Sequence, residues 1–276
     1  MSASNRQPHV TVTEALRINE LTLRAFEFDV LDGTFAKRFR KAVDWDTFKG
    51  SLNAGITMGL QEAFDCINKH IFANRLDGVA VEWEVKQPTT GRTFRDPVSG
   101  KLKIQIHPQL SREVGYGSAS DNTAACLGIM LHESIHADLD GCCDGIAWSD
   151  RTCTSTECFV EHFEQIGVTG HANAWQRVAG WVETLWNRSG ICRVSLVRER
   201  SANYEFNEVS RLASSVCLYR SHAQSSSANT VTDVLLRLRR VLYHFSNAIS
   251  TMASAQQHHP ERRDRDIVGP TIVQTV

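Results

Sequence analysis

Two histidines four positions apart, His132 and His136, bracket Glu133 in the run LHESIHADL at residues 131–139. On an α-helix, positions i and i+4 stand one turn apart on the same face, so both imidazoles can reach one metal ion. The glutamate between them can then reach water at that ion, where a carboxylate suits a general base activating water for attack on a carbonyl. Glu133 is therefore the candidate catalytic residue, and His132 and His136 are two candidate metal ligands. A catalytic ion of this kind usually takes three protein ligands and keeps one position open, so a third residue has to come from elsewhere.

The sequence offers several. The metzincin spacing asks for glycine three and histidine six positions beyond the second histidine, but Leu139 and Cys142 stand there. Glu157, Glu161 and Glu164 lie downstream at usable distances, although glutamates are common on solvated faces. His162 and His171 are the histidine options. His171 stands out because it follows Gly170 and opens an amphipathic stretch, residues 171–188, with Trp175, Val178, Val182, Leu185 and Trp186 on one face.

The elements that must position these groups follow from periodicity. Leu127, Met130, Leu131, Ile135 and Leu139 recur at helical spacing, with Asp121 or Asn122 as N-cap and Gly141 as stop, so the pentad sits well inside a largely apolar helix. Residues 45–72 read as one amphipathic helix on Leu52, Ile56, Leu60, Phe64, Ile67 and Ile71. Alternation predicts strands over 79–85 and 101–107, with a short one at 91–94. The glycine-bearing residues 111–120 are either a wall of the cleft or an ordinary connector. The layout is α+β, a small antiparallel sheet packed on helices.

With these residues in view, the chain resembles the SprT-like metallopeptidases, a family that includes the Spartan DNA-dependent proteases. In that family the HExxH helix is followed, after a variable insert, by a His-Gly-x-x-Phe or Trp signature. IGVTGHANAWQRVA at residues 166–179 is similar, with His171 and Trp175 matching and Ala172 where glycine is usual. AFDCINKHIFANRLDGVAVEW, GRTFRD and IQIHPQLS resemble the family's upstream helix and strands, so the likeness runs over residues 45–188. It implies a zincin-like domain, Zn²⁺ held by His132, His136 and His171, and peptide hydrolysis with Glu133 as general base. It also implies that the strand at 101–107 lies at the sheet edge, where an extended substrate could pair with it. Ala172 adds a Cβ beside a ligand, which would shift that histidine if the position needed glycine's freedom. The alternative is a scaffold that keeps the metal but not the activity. Glu133 argues against it, because a structural metal site has no need of a general base.

The domain organisation expected is a peripheral N-terminal segment (1–44), the metallopeptidase domain (45–190), an extension with an amphipathic helix at 232–250 (191–255), and a disordered tail (256–276). Within the extension, the arginine-bearing run at residues 191–206 reads as a solvated strand or loop, or as a contact for nucleic acid. Cys142, Cys143, Cys153 and Cys158 crowd into seventeen residues and could hold a second, structural ion, with His162 as a spare ligand. The eight cysteines, with no apolar N-terminal run, fit thiols or ligands in an intracellular protein, nuclear or cytoplasmic and not secreted. Lys plus Arg is 30 against 31 for Asp plus Glu, so no global charge selects a DNA or membrane partner. The expected partner is a protein or peptide substrate. DNA enters only through the resemblance.

Overall fold

The computed structural model describes residues 11–53, 59–86, 89–107, 122–141 and 165–222. Along them run α1 (Val12–Leu31), α2 (Thr34–Ala42), α3 (Trp45–Asn53) and α4 (Leu60–Ile71). Then come β1 (Ala80–Trp83), β2 (Gly91–Arg95), β3 (Leu102–Ile106), α5 (Asn122–Gly141), α6 (Asn173–Ser189) and α7 (Arg198–His222). The fold is mixed α+β, mostly helical with one three-stranded sheet.

A helix that is apolar almost all round has to be enclosed, and α5 is. Leu127, Ile129, Met130, Leu131, Ile135, Ala137 and Leu139 are all buried, and the helix touches α3, α4, α6, β2 and β3. The pentad thus lies at the centre of the packing, on an element with little freedom to move.

The sheet is ordered β1-β3-β2, with β3 antiparallel to β2 and parallel to β1. The β2–β3 link is a tight turn in which the Asp96 carboxylate accepts from the Val98 and Ser99 amides at 2.9 and 2.8 Å, and Gly100 takes φ +69°. A link that short permits only an antiparallel pair. The all-antiparallel expectation therefore fails at β1, because alternation fixes which face a side chain takes and says nothing of which strand lies alongside. For the same reason β3 is not an edge. It is the central strand, paired on both sides, and among the described residues β1 and β2 are the edges.

The single helix expected over residues 45–72 is two. α3 ends at Asn53, and α4 starts after Gly59, whose φ is +81°. A Cβ there would lie 3.0 Å from Phe48 Cδ2, so glycine is needed both for conformation and for room. Leu52, Leu60, Phe64, Ile67 and Ile71 are buried, as the stripe required.

Residues 11–44 are not peripheral. Val12, Leu23, Phe26, Val30, Phe35 and Phe39 belong to the same core as α5, and Phe35 and Phe39 meet Trp186 edge-on at 5.7 and 5.2 Å between ring centres. The stripe of α1 was hard to read because Asn19 occupies one of its buried positions. Asn19 is there to meet Asp138, which is buried on α5. Asp138 accepts from Asn19 Nδ2 at 2.7 Å and from Arg75 Nε and Nη2 at 2.8 and 3.1 Å. Arg75 also donates to Asn19 Oδ1 and Thr22 Oγ1. This cluster ties α5, two residues beyond His136, to α1.

The run at 198–206 forms the start of α7, with Ala202, Glu205 and Val209 buried, rather than a solvated strand or loop. Residues 111–120, the amphipathic run at 232–250 and the tail lie outside the described residues. So do Cys142, Cys143, Cys153, Cys158, Glu157, Glu161, Glu164 and His162. Among the described residues no helix is long and apolar enough to cross a membrane.

Candidate metal centre

His132 and His136 stand one turn apart on α5, and His171 comes to them from the loop that leads into α6. Their Nε2 atoms form a nearly equilateral triangle, with edges of 3.0 Å (His132–His171), 3.1 Å (His136–His171) and 3.2 Å (His132–His136). Among the described residues this is the one group of three or more His, Cys, Asp or Glu side chains that could hold a metal ion. Trp175, one turn into α6 and fully buried, packs its indole against all three imidazoles, with ring centres 4.6, 5.7 and 4.9 Å from His132, His136 and His171.

The far side of two of these rings dictates what the near side offers. His132 Nδ1 lies 3.3 Å from the Leu196 carbonyl, which can only accept, so Nδ1 carries the proton. The Thr169 hydroxyl donates to Glu205 Oε2 at 2.5 Å, which leaves its oxygen to accept from His171 Nδ1 at 3.0 Å. Both histidines therefore turn bare Nε2 lone pairs towards each other at 3.0 Å. A proton is a poor remedy for that repulsion. Burial holds the pKa of His132 down at about 4, and burial followed by the neighbouring His132 holds that of His171 at about 3. Burial, then His171 and His132, keep His136 well below the ordinary histidine range. Neutral, converging imidazoles, two of them with their outer nitrogens already engaged, are what a metal cation requires of its ligands.

Glu133 is buried and leans on the neighbouring strand. The Thr93 hydroxyl on β2 lies 2.9 Å from Glu133 Oε2 and 2.8 Å from its backbone carbonyl. Gly91, two residues earlier, makes room for it. A Cβ at Gly91 would fall 2.5 Å from Ile129 Cγ2 and 2.9 Å from Glu133 Oε1. Thr93 and Gly91 of β2 thus bound the Glu133 carboxylate.

His171 arrives through a loop bent around a carboxylate. Glu205 of α7 accepts from the amides of Val168, Thr169 and His171 at 2.5, 2.8 and 3.2 Å, and Gly167 and Gly170 have φ of +89° and +84°. Gly170 passes so close to the site that a Cβ on it would sit 2.9 Å from His136 Nδ1. Ala172, by contrast, needs no glycine. It is the N-cap of α6 with φ −73° and ψ −160°, extended backbone open to any residue, and its Cβ fills the space that Gly167 leaves.

Comparison with family models, with curated proteins and with solved structures returned no match. The case for the site therefore rests on its own geometry. Of the residues expected from sequence, His132, His136 and His171 are brought together, with Glu133 on the same helix. Sequence reasoning missed Gly91, Thr93, Thr169, Leu196 and Glu205. Only the glycines at 167 and 170, flanking the threonine, gave any local signal.

Cys66 and Cys126 are free thiols, and burial pushes the thiol pKa of Cys66 up to about 11 and raises that of Cys126. These two behave as small core residues rather than as ligands.

Proposed function

We propose that this chain is a zinc-dependent endopeptidase of the SprT-like type, with a zincin-like domain in which His132, His136 and His171 hold the ion. The observation that carries the reading is the triangle of Nε2 atoms, 3.0 to 3.2 Å on a side, with a buried glutamate next to the first ligand. Tetrahedral zinc with Zn–N bonds of about 2.0–2.1 Å sets its ligand atoms about 3.3 Å apart, a slight spreading of this triangle. Three neutral imidazoles, with no fourth ligand among the described residues, suit a catalytic rather than a structural ion. When bound, the ion would polarise the scissile carbonyl and bring the pKa of water towards about 7.

The remaining work falls to the chain's own groups. Glu133 takes the proton from the attacking water and hands it to the departing amine, so no covalent intermediate with the protein forms. Thr93 steadies the carboxylate of Glu133 through its Oε2. An extended substrate would pair with β2, the edge strand beside Glu133, through its main chain, which gives broad tolerance of sequence. The scaffold alternative rested in part on Ala172, and the relaxed backbone at that residue removes this support.

The test is incubation of the purified chain with an unfolded protein, with and without chelator, beside Glu133→Gln. The expected result is cleavage that chelator abolishes and zinc restores, slowed about 10²–10⁴-fold in the variant with its metal retained. Equal cleavage by the variant contradicts the role of Glu133, and no cleavage by the natural chain under any condition favours the scaffold. A DNA-bound substrate, with and without single-stranded DNA, tests the DNA-linked branch of the proposal.

A further inference from the structure

The segment that leaves α6 supplies no ligand, yet it braces two of the three histidines from behind. The Leu196 carbonyl accepts a hydrogen bond from His132 Nδ1, and Leu196 is itself held, its amide donating to Glu183 Oε1 at 2.8 Å. Asn187 pairs with Val194 through both its amide groups, at 3.0 and 2.8 Å. Val197 then takes φ +48°, a left-handed conformation unfavourable for a β-branched residue, at the bend where the chain enters α7. Eight residues on, fully buried Glu205 receives three loop amides and the Thr169 hydroxyl. Among the described residues four donors and no acceptor meet it, so the loop is built around a carboxylate.

We infer that residues 194–205 are an integral part of the metal centre, and that Glu205, acting through Thr169, is the positioning residue that keeps His171 a ligand. This inference rests on the metal-site reading above. The charge of Glu205 polarises the Thr169 hydroxyl that donates to it. The hydroxyl oxygen becomes a better acceptor for the His171 Nδ1 proton, and His171 Nε2 a better donor to the ion. The three amide bonds fix the loop, and the hydroxyl fixes the ring. The separation matters because it lets the two roles be tested apart.

The experiment uses the full chain and three variants, Thr169→Val, Thr169→Ser and Glu205→Gln. Zinc affinity is read by competition with a chromogenic chelator, and ligand geometry by the visible absorption of the Co²⁺ form. Thr169→Val, which keeps the shape and the loop amides, is expected to bind zinc about 10–100-fold more weakly and to change the Co²⁺ spectrum. Thr169→Ser should restore both readings, which a purely structural role for the side chain would not predict. Glu205→Gln should weaken zinc at least as much as Thr169→Val, and the threonine pair isolates the effect on the metal if this variant also loosens the fold. Natural affinity and spectrum in Thr169→Val, or no rescue by Thr169→Ser, overturns the inference alone. Failure of the natural chain to bind either ion overturns the metal-site reading and the inference with it.

Discussion

At the scale of single residues, the candidate site consists of imidazoles that burial keeps neutral, and this gives a sign to its pH dependence. The unfolded chain's histidines protonate near about 6.5, while in the fold His132 and His171 resist protonation down to about 4 and about 3. A pKa lowered by folding means that the unfolded state binds protons the fold refuses. The stability contributed by these rings is complete above about 6.5 and is lost as pH falls from there towards the folded values, by up to about 1.4 kcal/mol per pH unit for each ring. Melting temperatures of the chelated protein should therefore rise from pH 5 to about pH 7 and then level off, and a flat profile would contradict the buried, neutral assignment. Gly91 gives a second test at this scale. Gly91→Ala drives a Cβ into Ile129 and the Glu133 carboxylate, so kcat should drop about 10–100-fold with metal content unchanged. Unaltered kcat would mean that Glu133 is not where the proton is handled. The pentad could be read in the sequence because its spacing encodes its geometry. Glu205 and Thr93 could not, because each meets its partner across 34 to 40 residues of chain.

At the scale of elements, α5 was recognisable from its apolar repeat, and its extent was nearly right. The pairing of the strands was not recognisable, since a period of two carries no information about neighbours, and the place of β3 in the middle of the sheet moves the proposed substrate edge to β2. The break between α3 and α4 was hidden because both helices bury the same stripe. α1 was undervalued because its buried polar residue, Asn19, interrupts the apolar pattern. That residue belongs to the cluster that anchors α5, so the cluster should carry stability. Asp138→Ala leaves Arg75 without its carboxylate and should cost about 3 kcal/mol, the low end for a broken buried pair because Arg75 keeps some contact with water. Asp138→Asn should cost less, and urea midpoints of the two variants check the order. Equal midpoints for Asp138→Ala and the natural chain would show that the cluster does not anchor the helix.

At the scale of the whole molecule, the candidate metal centre draws on three stretches far apart in sequence. α5 gives two candidate ligands and the candidate base, the loop before α6 gives the third, and the chain from 194 to 205 accepts from the outer nitrogen of His132 and, through Thr169, bears on that of His171. A boundary at residue 190 would therefore cut through the site rather than beside it. The boundary suggested by sequence followed the last recognisable stripe of α6, beyond which the buried residues, Ala202, Glu205 and Val209, are too few and too mixed to form a pattern. The central claim is that the three histidines share one ion, and metal content per chain tests it most directly. Elemental analysis of the dialysed natural protein, Glu133→Gln and His171→Ala should give the same content for the first two and one ion fewer per chain for the third. The difference isolates this centre from any ion held elsewhere in the chain. Equal metal content in His171→Ala and the natural protein, or no bound metal in the natural protein, would contradict the account.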